Sequence, residues 1–579
     1  MKLLSFSIPE NEQQIGFRSL RHGFSMSFHN RKDTKTMGAF SPFCFAGLNG
    51  SGKSNVLEAL ANIFYHLEIC SARFLPASLR DEKNFRRNEC NVDIFALEYL
   101  IGLKDEPVSS VKDMIKVKVS KLFGEEPVME IKAFPFDDSV KADTIPFTPG
   151  AEHDAPTKAF LPDYVIGYSS GENELLSLPF IKSRLLHLDE YKEAAKNPVR
   201  VYNAPGNSLI YIDSDMSQAV LLACLLFEND KVLEPLSNID NTGILGLRCF
   251  SVCLTYQQFD FQQEEQTVLD ILEDYYEEGE KRVPRQIEKL KKCASSWYAD
   301  GDGISLDFFV NPATKAAFKK HFNSAFELFQ TFQMLYELNN HFIDKVVVED
   351  VYRSKGKYTD WKIPVGAPSN DVFYFLDYHL IKQEKKSKKI FDLLLRDFSD
   401  GEHQFLHTMG ICLMLRNKRT LLLLDEPETH FNPSWRAKFI KILNDSIKAS
   451  SENDKKNKHN IHFLKDILLT SHSPFIISDC LPDNVVIFER NEQGNVYTIT
   501  AKEKGFNTYG ASVDLVLHEI FGMSHSISEH AREEIRILLR KRTPQTIIEG
   551  AAKFGESYEK GFLYERVHEL DNKKKKKKK

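Results

Sequence analysis

The feature of the sequence that most constrains the fold is a glycine-rich segment at residues 47–54, Gly-Leu-Asn-Gly-Ser-Gly-Lys-Ser. It follows an apolar segment at residues 43–46 and precedes a stretch with apolar residues at helical spacing. A strand, this loop and a helix form the context of a phosphate-binding loop, where backbone N–H groups at a helix start surround phosphate oxygens. The glycines let the backbone wrap closely around the phosphates. The sequence therefore predicts an α/β fold with a nucleotide site.

The residues of this loop have distinct expected roles. Lys53 should reach the β- and γ-phosphates, and the Ser54 hydroxyl should bind Mg²⁺. ATP and Mg²⁺ are the expected ligands. The residues predicted to bind the nucleotide here are Gly47, Asn49, Gly50, Ser51, Gly52, Lys53, Ser54 and Asn55.

A second cluster lies in the C-terminal half, where the apolar run at residues 421–424 is followed by Asp425 and Glu426. The carboxyl end of a parallel strand in an α/β sheet faces the nucleotide. Asp425 is then expected to hold the Mg²⁺ shell, and Glu426 to orient or deprotonate the attacking water. Alone, such a segment would be an acidic turn after a core strand, but the phosphate-binding loop favours catalysis.

Two further segments flank the acidic strand. The first, with Ser399, Gly401 and Glu402, opens a helix before it, and the second places His472 at the end of an apolar strand after it. A histidine at a strand end can donate a hydrogen bond to a γ-phosphate. A lone histidine is more often structural, so the interpretation depends on the ordered series of motifs.

The remaining patterns divide the chain into regions. Residues 93–135 alternate between apolar and polar, which predicts an antiparallel β layer. Residues 228–395 are charged and mostly helical in pattern. The amphipathic segment at 268–298, which Pro284 is expected to interrupt, is too short for a long coiled coil. We expect an N-terminal lobe at 1–185, a mostly helical insertion at 186–390, a C-terminal lobe at 391–500, and a helical extension with a lysine tail at 501–579.

Composition narrows the class of protein. No run of about 18 apolar residues occurs, so no membrane span is expected and a cytoplasmic location is the default. The nine cysteines lack any Cys-x-x-Cys pair, which argues against a zinc site or a disulfide framework. The net charge is −6 although residues 573–579 are all lysine, so the body is more acidic still and does not resemble an autonomous DNA binder. The lysine run is either a solvated tail or a phosphate-contacting arm.

The order of these motifs resembles the ABC-type ATPase heads of the structural-maintenance-of-chromosomes (SMC) and RecF-like families. The phrases that carry the resemblance are residues 47–55, 425–430 and 470–474. Within that group, the chain looks most like the restriction-associated and anti-phage ATPases typified by PtuA of the Septu system. The resemblance covers roughly residues 1–185 and 390–500, and it implies a P-loop NTPase fold of the ABC/SMC-head type.

The resemblance also implies a composite site. Ser399, Gly401 and Glu402 of one subunit would close over ATP bound by Lys53 and Asp425 of another. ATP would then join two heads in a homodimer or a higher homo-oligomer.

Two positions depart from the family pattern or are hard to assign. Asp400 stands where these ATPases commonly carry Gly or another small residue, which predicts slow hydrolysis or conditional dimerisation. The family also uses a glutamine that senses Mg²⁺, and Gln218, which follows an apolar strand, is the candidate.

Partners follow from the same resemblance. Anti-phage ATPases of this type control a separate effector, so an HNH nuclease is expected, joined in some systems by a retron reverse transcriptase with its msDNA. Nucleic acid would be bound through that complex. No nuclease is expected in this chain, because Asp213–Asp215 is better explained as a turn or helix cap. The alternative function is a RecF/SMC-like clamp for DNA repair or recombination. A transporter ATPase is disfavoured because the fused membrane domain is missing.

Overall fold

The structure is a computed structural model of the chain. It describes residues 1–30, 37–73, 75–104, 106–137, 139–150, 153–171, 173–195, 208–212, 216–255, 275–278, 281–300, 303–356, 363, 371–415, 418–452, 460–523 and 527–577. The chain divides into two compact units, which we call unit 1 (Met1–Tyr509) and unit 2 (Gly510–Lys579). The division lies close to the predicted start of the C-terminal extension. The further division of unit 1 into two lobes and an insertion stays a prediction.

The β-strands of the described residues all lie in unit 1. They are β1 (Lys2–Ser7), β2 (Ser25–Ser27), β3 (Phe43–Ala46), β4 (Phe95–Gly102), β5 (Met114–Lys121), β6 (Val128–Ala133), β7 (Asp143–Ile145), β8 (Tyr164–Ser169), β9 (Leu209–Ile212), β10 (Ile244–Thr255), β11 (Tyr275–Glu278), β12 (Lys281–Pro284), β13 (Ser296–Asp300), β14 (Gly303–Phe309), β15 (Phe373–Gln383), β16 (Ile390–Leu394), β17 (Thr420–Asp425), β18 (Lys465–Thr470), β19 (Val485–Arg490) and β20 (Val496–Thr500).

The α-helices of the described residues are found in both units. They are α1 (Lys53–Ser71), α2 (Ala77–Arg80), α3 (Glu174–Ala195), α4 (Met216–Phe227), α5 (Glu234–Ser237), α6 (Gln286–Cys293), α7 (Pro312–His321), α8 (Ala325–Glu337), α9 (Lys345–Arg353), α10 (Asp400–Met414), α11 (Pro433–Arg436), α12 (Phe439–Glu452), α13 (Ile461–Leu464), α14 (Pro474–Ser478), α15 (Val513–Phe521), α16 (Glu529–Leu539), α17 (Pro544–Ala551) and α18 (Tyr558–Lys577).

A seven-stranded sheet positions the predicted site residues. Its order is β20-β19-β3-β18-β17-β8-β9, and neighbouring strands from β19 to β9 pair in parallel. Strands β3, β17 and β18 are buried along their whole length, as parallel strands covered on both faces usually are. Their carboxyl ends meet at one edge, where Asp425 pairs with Thr470 on one side and with Ser169 on the other.

An antiparallel sheet packs on the opposite side of α1. Its order is β2-β1-β4-β5-β6-β7, which confirms the β layer predicted for residues 93–135. A single hydrophobic core joins the two sheets through α1, and it includes Phe6 and Leu97 on one side and Phe45 and Leu423 on the other. Helix α1 is buried on most of its circumference because it lies between the two sheets. The predicted fold class, an α/β P-loop fold with an antiparallel β layer, is confirmed.

The prediction of a mostly helical insertion needs correction. The described part of this region contains helices α4 to α9, but also a five-stranded antiparallel sheet with the order β13-β14-β10-β15-β16. The apolar residues of β10 recur at every second position, with Phe250, Val252 and Leu254 buried on one face. That period of two is typical of a half-buried strand. Pro284, expected to interrupt a helix, ends β12 instead.

The secondary structure of the described residues of unit 2 consists of the helices α15 to α18. Its core consists of Ile535, Ile547, Ala551, Leu563 and Val567. Helix α18 runs to Lys577, so the helix continues into the lysine run. In both units, none of the described helices has the length and apolar character needed to cross a membrane.

Candidate active site

The predicted phosphate-binding loop connects β3 to α1. Gly47 and Gly52 have φ of +139° and +102°, a region that strains any residue with a side chain. A Cβ at Gly47 would also lie 2.6 Å from the carbonyl oxygen of Phe488, and one at Gly52 would lie 2.6 Å from Ser19 Oγ. The outer side of the loop therefore packs tightly against its neighbours, and the backbone conformation requires glycine at both positions.

The side chains of the loop differ in their surroundings. Asn49 is exposed, and Asn55 donates from Nδ2 to Ser19 Oγ at 2.7 Å, on the outer side of the loop. The Ser51 hydroxyl is buried and has no hydrogen-bond partner among the described residues. A buried hydroxyl without a partner costs free energy, and a phosphate oxygen would satisfy it.

Lys53 lies along the loop. Its Nζ donates to the carbonyl oxygens of Gly47 and Leu48, both at 3.0 Å. Burial lowers the pKa of Lys53, while the carboxylates of Glu426 and Asp425 act in the opposite direction. The Lys53 ammonium group is therefore close enough to interact electrostatically with the two acidic residues at the end of β17.

Asp425 is the centre of the hydrogen-bond network at the sheet edge. Its Oδ1 accepts from Ser54 Oγ at 2.8 Å and from Thr470 Oγ1 at 2.7 Å, and its Oδ2 accepts from Asn173 Nδ2 at 2.6 Å. Ser54 and Asp425, predicted to share a magnesium ion, are thus in direct contact. The Thr470 hydroxyl also accepts from the backbone N–H of Glu426 at 3.0 Å, which couples the ends of β17 and β18.

Asn173 was missed as a site residue by the sequence analysis, and Gln218 was proposed in its place. Asn173 follows β8, the strand beside β17, so the chain delivers its amide to Asp425. Gln218 lies in α4, and its backbone carbonyl accepts from the Tyr378 hydroxyl at 3.4 Å. In the described residues, Gln218 Oε1 is buried without a hydrogen-bond partner, and the Asp425 carboxylate accepts from Ser54, Thr470 and Asn173 instead. The signal that could have found Asn173 is its position just after an apolar strand that ends in a polar turn.

Glu426 has an unusual backbone. Its φ is +48°, a left-handed conformation that is costly for a residue with a side chain and is often found at functional sites. Burial and the nearby charge of Asp425 raise the pKa of Glu426, which favours proton uptake. The side chain remains 42% exposed, so water can reach it.

His472 completes the edge of the sheet. Its Nε2 lies 3.4 Å from Glu426 Oε1. Burial and the charge of Lys53 lower the pKa of His472, which favours the neutral imidazole. A neutral imidazole carries one N–H donor and one acceptor, so His472 can donate a hydrogen bond without adding a second positive charge beside Lys53.

Glu428 is a second residue that the sequence analysis missed. It is only 3% exposed, and it accepts a hydrogen bond from Ser471 Oγ while Oε2 has no partner among the described residues. Burial raises its pKa to about 7. Glu428 therefore connects the loop after Glu426 to the residue that precedes His472. In the sequence, the only sign of this role is the position of Glu428 two residues after the acidic pair.

The predicted signature residues form the start of α10. Ser399 is the N-cap, and its side chain and that of Glu402 form a reciprocal capping box. Glu402 also forms an ion pair with Lys382 of β15. Burial acts to raise the pKa of Glu402, but the hydrogen bonds from Lys382 and Ser399 outweigh that effect and lower the pKa. A Cβ at Gly401 would lie 2.8 Å from the carbonyl oxygen of His430.

The loop after β17 joins the signature helix to the sheet edge. The His430 backbone N–H donates to Gln404 Oε1 at 3.1 Å, and His430 Nε2 lies 3.2 Å from the carbonyl oxygen of Ser170. In the described part of the chain, the hydrogen bonds of Ser399 and Glu402 run to each other and to Lys382, not to the phosphate-binding loop. Lys53, Asp425, Glu426 and His472 therefore form one group, and the signature residues another.

The group at the edge of the sheet, with Lys53 and Asp425, fits a nucleotide with Mg²⁺. Ser54 and Asp425 offer oxygen ligands, which Mg²⁺ prefers, and the unpartnered Ser51 hydroxyl and the Lys53 ammonium suit phosphate oxygens. No cluster of three or more His, Cys, Asp or Glu side chains in the described residues is arranged to hold a metal ion. Asp213–Asp215 lies outside the described residues.

Comparison with protein families gives one match. Residues 305–478 match the family described as "AAA domain, putative AbiEii toxin, Type IV TA system". Over this segment the chain is similar to AAA-family ATPase domains. The segment contains the signature helix, Asp425, Glu426 and His472, but not the phosphate-binding loop, and it is less than a third of the chain. No curated protein matches the chain at a significant level.

Three of the similar solved structures are SMC heads. The Smc head domain of Pyrococcus furiosus with an extended coiled coil, bound to the C-terminal domain of ScpA, is 11% identical with a TM-score of 0.28, over 87% of this chain and 98% of that one. An SmcHead bound to the C-winged helix domain of ScpA is 8% identical with a TM-score of 0.29, over 87% and 100%. The Smc head domain of Pyrococcus yayanosii with a coiled coil and joint is 12% identical with a TM-score of 0.27, over 86% and 97%. At such scores, the fold assignment rests on the sheet order and the loop geometry described above.

Proposed function

We propose that the chain is a Mg²⁺-dependent ATPase. The observation that carries the proposal is the convergence of the phosphate-binding loop, the Ser54–Asp425 contact and the Glu426–His472 pair at one edge of the parallel sheet. The similarity of residues 305–478 to AAA-family domains supports it.

Each residue has a defined part in hydrolysis. Lys53 and the N–H groups at the start of α1 bind the phosphates, and Ser54 and Asp425 hold Mg²⁺, which neutralises phosphate charge when bound. Glu426, with its raised pKa, takes the proton of the attacking water. His472 donates a hydrogen bond towards the γ-phosphate, and Asn173 keeps Asp425 oriented.

ATP-dependent pairing of two heads is the second part of the proposal. The signature residues at the start of α10 are held by their own capping box and by Lys382, which leaves the helix N-terminus preorganised. Helix N-termini favour anionic ligands. Ser399 and Gly401 of one protomer would bind the nucleotide held by its partner, so a homodimer forms only with ATP bound.

The role of the ATPase in the cell is the third part. We propose that it belongs to an anti-phage defence complex and holds an effector nuclease inactive until infection, with an HNH nuclease as the partner and, in some systems, a retron reverse transcriptase with msDNA. The sequence resemblance to Septu-type ATPases supports this. The description of the AAA family model names a toxin of a toxin–antitoxin system, which is compatible with control of a harmful activity.

Two variants test the ATPase assignment directly. Lys53→Ala should abolish ATP binding, because it removes the positively charged side chain expected to reach the β- and γ-phosphates. Glu426→Gln should bind ATP and hydrolyse it about 10²- to 10⁴-fold more slowly, since the general base is lost. ATP affinity and turnover would be measured by titration and phosphate release. Unchanged affinity in the first variant, or wild-type turnover in the second, would contradict the assignment.

The cellular role is tested by purifying tagged Glu426→Gln from its native host with ATP and Mg²⁺ present. Co-purification of an HNH nuclease, identified by mass spectrometry, would support the defence complex. Recombination proteins on genomic DNA without a nuclease would favour the alternative, a repair or recombination clamp.

A further inference from the structure

A cavity beside the second half of α1 has no part in the proposed hydrolysis. Its volume is about 210 Å³. It is lined by Asn62, Tyr65 and His66 of α1, by the loop at residues 82–91, by Lys182 of α3 and by the segment at residues 352–355. All these residues belong to unit 1.

The charge of the cavity wall is predominantly positive. Five cations line it against two carboxylates, Glu82 and Glu89; the cations are Lys83, Arg86, Lys182, Arg353 and Lys355. Arg86 pairs with Glu89 at 2.8 Å, and Arg353 pairs with Asp350 at 2.5 Å. Within the described part of the chain, none of the three lysines forms an ion pair with a carboxylate, so a surplus of positive charge remains.

Lys182 is the deepest of these cations. It is only 5% exposed, and its Nζ donates to the carbonyl oxygens of Tyr352 at 3.0 Å and Ser354 at 2.6 Å. The Nζ also lies 5.9 Å from the centre of the Tyr65 ring. Carbonyl dipoles and a ring face compensate a buried ammonium less well than an anion does.

The charge of Lys355 acts on this buried group. Burial is the main cause that lowers the pKa of Lys182 to about 8; Cys90 acts in the opposite direction, and the positive charge of Lys355 adds to the lowering. Two lysines from different elements thus repel each other across the cavity. An anion between them would turn the repulsion into attraction.

We propose that this cavity binds a small organic phosphate, a phosphate monoester of about the size of a sugar phosphate. Lysine ammonium groups are common phosphate ligands, and here they come from three separate elements, which suits a group with several charged oxygens. The rings of Tyr65 and Phe85 provide an apolar wall for the carbon skeleton, and the amides of Asn84 and Asn91 offer further polar contacts.

The position of the cavity connects it to ATP hydrolysis. Helix α1 begins at Lys53, and α3 begins directly after Asn173, whose amide holds Asp425. A ligand bound between the two helices contacts both elements that position the nucleotide and the metal. Its binding should therefore change the rate of ATP hydrolysis, although it does not touch the active site.

The test is a calorimetric titration of the full-length protein with ribose 5-phosphate. The phosphate-binding loop is first saturated with ADP and Mg²⁺, so that it cannot account for the signal. We expect saturable binding of ribose 5-phosphate and weaker binding of inorganic phosphate, with none of uncharged ribose. Failure of both phosphates to bind, or binding of ribose alone, would overturn the proposal. Succinate bound in preference to both phosphates would overturn the phosphate assignment.

Two variants locate the site. Lys182→Met keeps the buried aliphatic stem without the charge, and Lys355→Ala changes an exposed residue that the fold does not need. Each should weaken ribose 5-phosphate binding about 10-fold or more, because each removes a charge-assisted hydrogen bond. Lys345→Ala, an exposed change on α9 outside the cavity, is the control and should bind as the wild type does. Unchanged affinity in Lys355→Ala and in folded Lys182→Met would place the anion elsewhere; if Lys182→Met does not fold, Lys355→Ala decides.

Discussion

At the scale of single residues, Asp425 is the side chain at which the hydrogen bonds of the candidate active site meet. Ser54, Thr470 and Asn173 donate to its two oxygens from three different segments of the chain. A carboxylate held from three sides keeps one orientation, and a metal ligand held in this way needs little rearrangement when the ion binds. The partner least expected from the sequence, Asn173, is therefore the most informative one to change.

Asn173→Ala should weaken Mg²⁺-dependent hydrolysis about 10-fold, because partners of metal ligands typically contribute 10- to 100-fold. The Mg²⁺ concentration that gives half-maximal turnover should rise, and the loss of the N-cap hydrogen bond from the Leu176 N–H should lower the free energy of unfolding by about 1 kcal/mol. The comparison variant is Gln218→Ala, whose side chain is not among the hydrogen-bond donors to Asp425 in the described residues. If the Mg²⁺ dependence shifts in Gln218→Ala and not in Asn173→Ala, the assignment is reversed.

Glu428 predicts a pH dependence of stability. Burial raises its pKa to about 7 in the folded chain from an ordinary value of 4.5. Between these two pKa values, the folded state retains a proton that the unfolded state releases. The contribution of Glu428 to the free energy of unfolding is therefore complete below about pH 4.5 and is lost as the pH rises through about 7. Glu428→Gln, which mimics the neutral form, should therefore gain about 1 to 3 kcal/mol over the wild type between pH 5 and pH 8.

Urea unfolding at pH 5 and pH 8 measures this difference in the free energy of unfolding. Glu12→Gln, a change at an exposed carboxylate, serves as the control and should show no such gain. Equal pH profiles for Glu428→Gln and the wild type would mean that Glu428 is not held neutral by the fold.

At the scale of elements, the signature helix depends on close packing at its first turn. The carbonyl oxygen of His430 would lie 2.8 Å from a Cβ at Gly401, so the helix and the loop after β17 can approach only because residue 401 is glycine. This contact joins the signature to the loop that follows Glu426. Under the proposed dimerisation, this contact would be a physical route by which closure of a second head reaches Glu426.

Gly401→Ala should push α10 away from that loop, at a cost of about 1 to 3 kcal/mol in the free energy of unfolding, as overpacking usually does. ATP binding by the single head should persist, while ATP-dependent dimerisation, measured by analytical ultracentrifugation with the non-hydrolysing Glu426→Gln background, should be lost. Gly555→Ala has open space around its Cβ and is the matched control. A fully dimeric Gly401→Ala protein would remove the signature from the proposed interface.

The elements also show what the sequence could and could not predict. The loop at residues 47–54 and the pair Asp425–Glu426 were predictable, because backbone geometry and strand polarity dictate residue type locally. The β layer at 93–135 was predictable from its alternation. The sheet formed by β10 and β13 to β16 was missed because helices separate β10, β14 and β15 along the chain and their pairing is long-range. Asn173 was missed because its role exists only once β8 and β17 are neighbours.

At the scale of the whole molecule, the order of the central sheet differs from the order of the sequence. Strand β3, which carries the phosphate-binding loop, lies between β18 and β19, and both of these come from the C-terminal part of unit 1. The loop has neighbours in the sheet only when those late strands are present.

A chain ending at Leu464 should therefore fail to bind ATP although it contains Lys53, whereas a chain ending at Tyr509 should bind it. The shorter chain lacks β18 and β19 and leaves β3 unpaired on both edges, which also predicts aggregation. Binding of a fluorescent ATP analogue to the soluble fraction distinguishes the two. Nucleotide binding by the shorter chain would show that β3 can be supported in another way.

The position of β3 has a consequence for the synthesis of the protein on the ribosome. The nucleotide-binding segment leaves the exit tunnel before its flanking strands, which follow about 400 residues later in the chain. Under the proposed function, a nascent chain that still lacks those strands should neither bind ATP nor pair with a finished subunit through it. Under the proposed function, incomplete translation products therefore do not join the complex, and partial assemblies that bind an effector without controlling it do not form.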